Sequence, residues 1–176
     1  QLKSRLAVRR ADMVVTVSEA SKKGLVSHFG LSPDRVAVIT EAPASSFTRA
    51  IGSGKVDTEA LERHGLDPDE RYVLYVGGIS PHKNIDTLIK AFFVLRQDAR
   101  MGDVRLILVG DWAGDSFNTC YEELCTLIER RGLSHAVHFP GFVPDEDLVH
   151  LYSACQAFVL PSYLEGFGLP VVEAMA

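Results

Sequence analysis

Short, continuous apolar runs alternate along this chain with segments of helical period, and that alternation narrows the possible folds more than any other feature. The runs are Met13–Val17 (MVVTV), Arg35–Thr40 (RVAVIT), Tyr72–Val76 (YVLYV), Arg105–Val109 (RLILV), Val137–Phe139 and Ala157–Leu160 (AFVL). They are continuous rather than alternating, as strands covered on both faces are. Between them, Ile85, Leu88, Ile89, Phe92 and Leu95 follow the spacing of a buried helical stripe, with Asn84 as N-cap and Asp86 in the first turn. Tyr121, Leu124, Cys125 and Ile128 repeat the stripe and stop at Gly132. Leu148, Leu151, Tyr152 and Cys155 repeat it after Pro144-Asp145, and a further helix is predicted from Glu19 to Phe29, between Ser18 and Gly30. Strand and helix in strict turn predict an α/β fold, a Rossmann-like parallel sheet with helices on both faces. Ligands in such folds sit where the carboxyl ends of strands lead into helices.

Bulk properties exclude several functions. A formal net charge of −5 argues against a dedicated nucleic-acid binder. The basic residues Lys3, Arg5, Arg9 and Arg10 read as a solvated helix end. No apolar run approaches the length of a transmembrane segment. Three cysteines (Cys120, Cys125, Cys155) give an odd count without CxxC spacing, which favours buried free thiols over a disulfide framework or a zinc site. Pro43–Lys55 (PASSFTRAIGSGK) has no period and reads as a linker. The expected organisation is therefore a first segment 1–45, a linker 46–68 and a second unit 69–176.

Four strand-to-helix junctions carry chemistry. In YVGGISPHKN, Gly77 and Gly78 follow a strand directly and Lys83 precedes the helix. Glycines let a ligand approach the backbone, and a lysine at a helix start suits a phosphate or diphosphate, although a glycine turn with a solvated lysine has the same letters. It is not a P-loop, because His82 and Asn84 flank the lysine where that motif needs glycine and Ser or Thr. His82 is expected to face solvent. In VGDWAGDS, Gly110 ends a strand and Asp111 either orients a polar ligand or caps a turn. HFPGFVP offers backbone that would border a flat ring, around Phe142 and Val143.

The fourth junction, LPSYLEGFGLPVVEAMA, ends the chain. Its two acids, Glu165 and Glu173, suit either paired sugar hydroxyls or the partial positive charge of a helix start, and the amides of Gly166, Phe167, Gly168 and Leu169 lie between them. The dinucleotide fingerprint GxGxxG fits this stretch poorly, since Val171 stands where its third glycine belongs.

Taken together, these motifs resemble the retaining glycosyltransferases of the GT-B fold known as group 1 (family 4-like). PSYLEGFGLPVVEAMA matches that family's pattern of two glutamates with seven residues between them. YVGGISPHKNIDTLIKAF resembles its glycine-and-lysine phosphate loop. ADMVVTVSEASKKGLVSHFG followed by RVAVITEAP resembles the hinge where its N-terminal domain hands over to the C-terminal one. The resemblance implies that 1–45 is the tail of an acceptor domain and hinge, and that 69–176 is a donor-binding domain incomplete at its C-terminus. It implies transfer of a hexose from a nucleoside diphosphate sugar, with retention of anomeric configuration, to a sugar, lipid-linked or small-molecule acceptor read by a domain outside this segment.

By the same resemblance, Lys83 neutralises the diphosphate, Gly77 and Gly78 let it approach, and Glu165 contacts the reacting sugar. Glu173 takes the ribose, the Gly166–Leu169 amides hold sugar and diphosphate, and Phe142 and Val143 flank the base. No metal and no other cofactor is expected, and the setting is cytoplasmic or peripheral at the inner face of the membrane. Many members carry arginine at the position of Gly78, and others a basic residue at that of His82, so the second diphosphate cation is left open. The segment alone is expected to bind nucleotide without transferring sugar. Alternatives within the same architecture are a sugar-nucleotide epimerase, a phosphorylase, or a non-catalytic nucleotide-binding module.

Overall fold

The computed structural model describes residues 2–50, 56–112 and 119–176, with side chains of 48–50 left aside. Two compact units emerge: residues 1–42 with 165–169, and residues 43–164 with 170–176.

In the first unit, α1 (Leu2–Arg10) precedes β1 (Val14–Thr16), α2 (Glu19–Phe29) and β2 (Val36–Val38). β1 and β2 pair in parallel, Val14 opposite Val36. α2 has the ends predicted for it. Ser18 accepts from the Ser21 amide at 3.1 Å, and Gly30 closes the helix in the left-handed region at φ 66°. The Arg35 guanidinium donates to the carbonyls of Val8 and Ala11, occupying acceptors that the end of α1 leaves open.

The second unit runs α3 (Ser45–Ala50), α4 (Thr58–Arg63), β3 (Tyr72–Val76), α5 (Ile85–Leu95), β4 (Arg105–Val109), α6 (Tyr121–Arg130), β5 (Val137–Gly141), α7 (Asp145–Ala154) and β6 (Ala157–Phe158), with α8 (Leu169–Met175) beginning at the border of the two units. Its sheet is wholly parallel in the order β5-β4-β3-β6. The two central strands are buried on both faces, which is why their sequences read as unbroken apolar runs. Successive side chains go to opposite cores. Leu106 and Leu108 join Tyr75, Ile85, Ile89, Phe92 and Leu124 beneath α5 and α6. Ile107 and Val109 join Tyr72, Leu74, Leu148 and Leu151 beneath α4 and α7. Each such side chain, fully withdrawn from water, contributes roughly 1.5–3 kcal/mol before chain entropy is counted.

The segment 46–68 departs from its expected character as a linker. Residues 51–55 lie outside the described residues, but on either side of them α3 and α4 bring Phe47, Ala60, Leu61 and Leu66 into the core. Small polar residues around Phe47 mask a single deep anchor, and one anchor makes no period. The three cysteines are free, as expected, but half-buried rather than buried, because Cys120 and Cys155 stand at helix ends.

One ionic cluster ties α4 to α7. The carboxylate of Asp147, 11% exposed, accepts from Arg63 at 2.6 Å and from the ring of His64 at 2.8 Å. The Arg63 hydrogen bond holds the Asp147 carboxyl below the usual carboxylate range, against the opposing effect of burial. A depressed carboxyl contributes stability above its ordinary pKa of about 3.9 and loses it as pH falls through the folded value. Asp147→Asn is therefore expected to lower the melting temperature at pH 7 and to flatten its decline as pH falls below about 4, read by thermal unfolding from pH 7 downward. Parallel curves for the two proteins would mean that the cluster contributes nothing to acid sensitivity.

Candidate functional site

Strand order sets one pair of neighbouring strands apart. From β3 the chain steps outward to β4 and β5, then returns to place β6 on the other side of β3. The connections after β3 and β6 therefore leave the sheet in opposite senses, and that reversal is a switch point of the kind at which open α/β sheets bind ligands.

The loop after β3 holds the predicted phosphate motif. The Gly77 amide still bonds to Val109 O at 3.0 Å, and the Tyr75 hydroxyl donates to Gly78 O at 2.8 Å. A Cβ on Gly77 would lie 2.7 Å from that hydroxyl, and one on Gly110 would lie 2.1 Å from Gly77 O. Gly78 has open space around it instead. The backbone then makes a short 3-10 turn over Pro81–Lys83 before α5 begins. Lys83 is half-buried at this turn, and His82 is exposed with Nδ1 3.1 Å from Ser80 Oγ.

Asn84 does not cap α5 as its position predicts. Its backbone is left-handed (φ 57°), and its side chain makes no bond to the helix start. Instead, Nδ2 donates to Pro161 O, in the loop after β6, at 3.0 Å. The Tyr163 amide donates to His82 O at 3.1 Å, so two hydrogen bonds lace together the loops on either side of the switch point. Asn84 is nine-tenths buried, and its Oδ1 meets no hydrogen-bond partner among the described residues.

Glu173 projects from α8 and is half-buried. Burial raises its carboxyl above the usual range, the hydroxyl of Tyr152 pulls it back down, and Asp145 adds to the rise. That hydroxyl donates to Glu173 Oε2 at 3.1 Å. Of the predicted ring-flanking pair, Phe142 stands 73% exposed while Val143 packs its side chain into the core.

In the first unit, Glu165 is half-buried, and Gly166 O accepts from Ser21 Oγ at 3.2 Å. Gly168 is buried and left-handed at φ 86°, a conformation that favours glycine.

At the second junction Gly110 sits where predicted, against Gly77, and Asp111 is exposed; residues 113–116 of that stretch lie outside the described residues. Its unforeseen member is Trp112, stacked on Tyr121 at 4.4 Å and 9°, with Tyr121 edge-on to Phe139. Tyr152 was equally unforeseen as a polar group, because in the sequence it serves as one more member of the apolar stripe of α7.

This parallel, switch-point architecture defines a Rossmann-like α/β class of fold. Within that class the chain belongs to the glycosyl transferases group 1 family, whose family model matches residues 56–176. Among curated proteins it is 35% identical over 168 residues to the O-antigen chain mannosyltransferase B of Escherichia coli, which covers 94% of this chain and 41% of that protein. It is 34% identical over 170 residues to a D-inositol 3-phosphate glycosyltransferase of Mycobacterium sp. (strain KMS), covering 96% of this chain and 36% of the relative. The chain thus spans about two fifths or less of the length of the curated relatives it matches. Among solved structures, the sucrose-phosphate synthase of Thermosynechococcus elongatus superposes with a TM-score of 0.71 at 26% identity, over 98% of this chain and 40% of that one. WaaG, a glycosyltransferase involved in lipopolysaccharide biosynthesis, shares the fold with a TM-score of 0.72 at 20% identity, over 92% of this chain and 41% of its own. Among the described residues no helix is long and apolar enough to cross a membrane.

Proposed function

We propose that this chain carries the donor-binding part of a glycosyltransferase that moves a hexose from a nucleoside diphosphate sugar to an acceptor with retention of configuration. The observation that carries the reading is the Gly77–Lys83 loop, which leaves central strand β3 at the switch point of the sheet and brings a lysine to the start of α5. A diphosphate there meets a backbone with no Cβ in its way at Gly78 and an ammonium at Lys83. As the bond from the anomeric carbon to the diphosphate breaks, the electron pair leaves with the diphosphate, and a positive group beside it lowers the barrier. The motif glutamates complete the assignment: Glu165 serves the hydroxyls of the donor sugar and Glu173 those of the ribose.

Among the described residues no group of three or more His, Cys, Asp or Glu is gathered to hold a metal ion. The mannosyltransferase relatives make mannose the first sugar to try, and an O-antigen-like polysaccharide the first product class.

Calorimetric titration of the protein with UDP, GDP and ADP tests the reading. Saturable binding of one nucleotide is the expected result, and a folded protein that binds none of the three would overturn it. The anomeric configuration of the product, read by NMR from a reaction of the longer protein with the matching sugar nucleotide, tests retention.

A further inference from the structure

Resting on the donor-site reading, we propose that Tyr152 is the positioning residue of Glu173, fixing one carboxylate oxygen so that the other is presented to the vicinal hydroxyls of the donor's ribose. The geometry supports a fixed rather than an adaptable contact. Tyr152 lies in α7 and is 8% exposed. Its ring is held edge-on by Phe47 at 5.9 Å and by Phe158 at 5.4 Å, so the phenol has one direction in which to point. In that direction lies Glu173 Oε2, 3.1 Å away on α8.

A carboxylate offers about four lone-pair sites, and a free one rotates among many poses. With Oε2 pinned, the orientation needed to accept from two adjacent hydroxyls is set before the ligand arrives, which lowers the ordering cost of binding. The hydroxyl also stabilises the ionised form of a carboxyl that burial and Asp145 both push toward protonation. Around the pair, the titratable groups that act on it are Asp145 and Cys155, neither of them a cation. Tyr152 is therefore the one neighbour that favours the charge on Glu173, among the groups that shift it.

Tyr152→Phe keeps the ring and removes only the hydroxyl. The experiment titrates wild type, Tyr152→Phe and Glu173→Gln with UDP, GDP and ADP and with the 2′,3′-dideoxy form of whichever binds, from pH 5 to 8. Tyr152→Phe is expected to weaken the ribonucleotide about tenfold, in line with a lost hydrogen bond to a charged group, and to leave the dideoxy form unchanged. Its binding is expected to fail at a higher pH than that of wild type on acidification, because Glu173 then takes its proton more readily. Glu173→Gln is expected to remove that pH dependence altogether.

A purely structural role would weaken ribose and dideoxy forms alike without moving the pH midpoint, and that result overturns the proposal. Unchanged affinity and midpoint in Tyr152→Phe overturn it equally while leaving the donor site standing. A wild type that binds nucleotide but does not prefer ribose to its dideoxy form removes the ribose role of Glu173, and this proposal with it. No binding by any form overturns the donor reading itself.

Discussion

Alanine at Gly110 is expected to cost about 3 kcal/mol of stability, at the upper end of what overpacking costs in a dense interior. A Cβ built there lies 2.1 Å from Gly77 O and 3.2 Å from Gly77 C, so the clash is with backbone and no side-chain rotation relieves it. The contact exists because β3 and β4 stay paired to their last residues, Val76 opposite Val109, and Gly77 extends the ladder by one more bond at 3.0 Å. On the far side, the Gly110 amide bonds to Gly141 O at 3.0 Å, so Gly110 cannot retreat without breaking that bond too. For a chain of this size the loss corresponds to roughly 6–12 °C in Tm. Gly78→Ala is the control, with nothing within 4 Å of its Cβ, and should stay within about 0.5 kcal/mol of wild type. Urea unfolding followed by the emission of Trp112, the single tryptophan of the chain, reads both variants. An unchanged midpoint for Gly110→Ala would mean that the two strand-end loops part easily and that the site floor is not held by close packing.

That floor explains what the sequence reveals and what it hides. Tyr72–Val76 and Arg105–Val109 have the same limits in sequence and structure because strands buried on both faces must be apolar throughout. Ile85–Leu95 is equally plain, since one stripe of it faces one core. Strand order is another matter: nothing in the letters of Ala157–Phe158 says that it pairs with β3 rather than extending beyond β5, and that pairing is what creates the switch point. Asn84 has the right letter for an N-cap, yet its left-handed backbone turns it toward Pro161, 77 residues away. Asp147 and its partners Arg63 and His64 are 84 and 83 residues apart, beyond any local pattern. Tyr152 counts as apolar in a periodicity, so its hydroxyl became visible only once Glu173 was placed opposite it. The motif letters therefore point to a candidate site, while the polar contacts that hold its residues in place come from long-range pairing.

On the proposed donor-site reading, Lys83→Ala is expected to lower sugar transfer roughly 10²–10³-fold, the range seen when one preorganised donor to a developing negative charge is removed. The physical reason lies in where the charge goes. The donor's diphosphate already carries negative charge before reaction and gains the departing electron pair in the transition state, so an ammonium beside it acts more strongly on the transition state than on the bound donor. The loss should therefore fall mainly on kcat. Binding of a nucleoside diphosphate should weaken as well and lose much of its salt dependence, because screening acts on the charge pair that the substitution deletes. A nucleoside without phosphates should bind wild type and variant alike. Lys83→Arg keeps the charge but replaces a compact ammonium with a planar fork, and should recover affinity better than turnover. Thermal unfolding of each variant separates a lost charge from a lost fold. A kcat within a factor of three of wild type, with the salt dependence intact, would place the diphosphate's counter-charge elsewhere, and His82, exposed one residue earlier in the same turn, would be the next position to substitute.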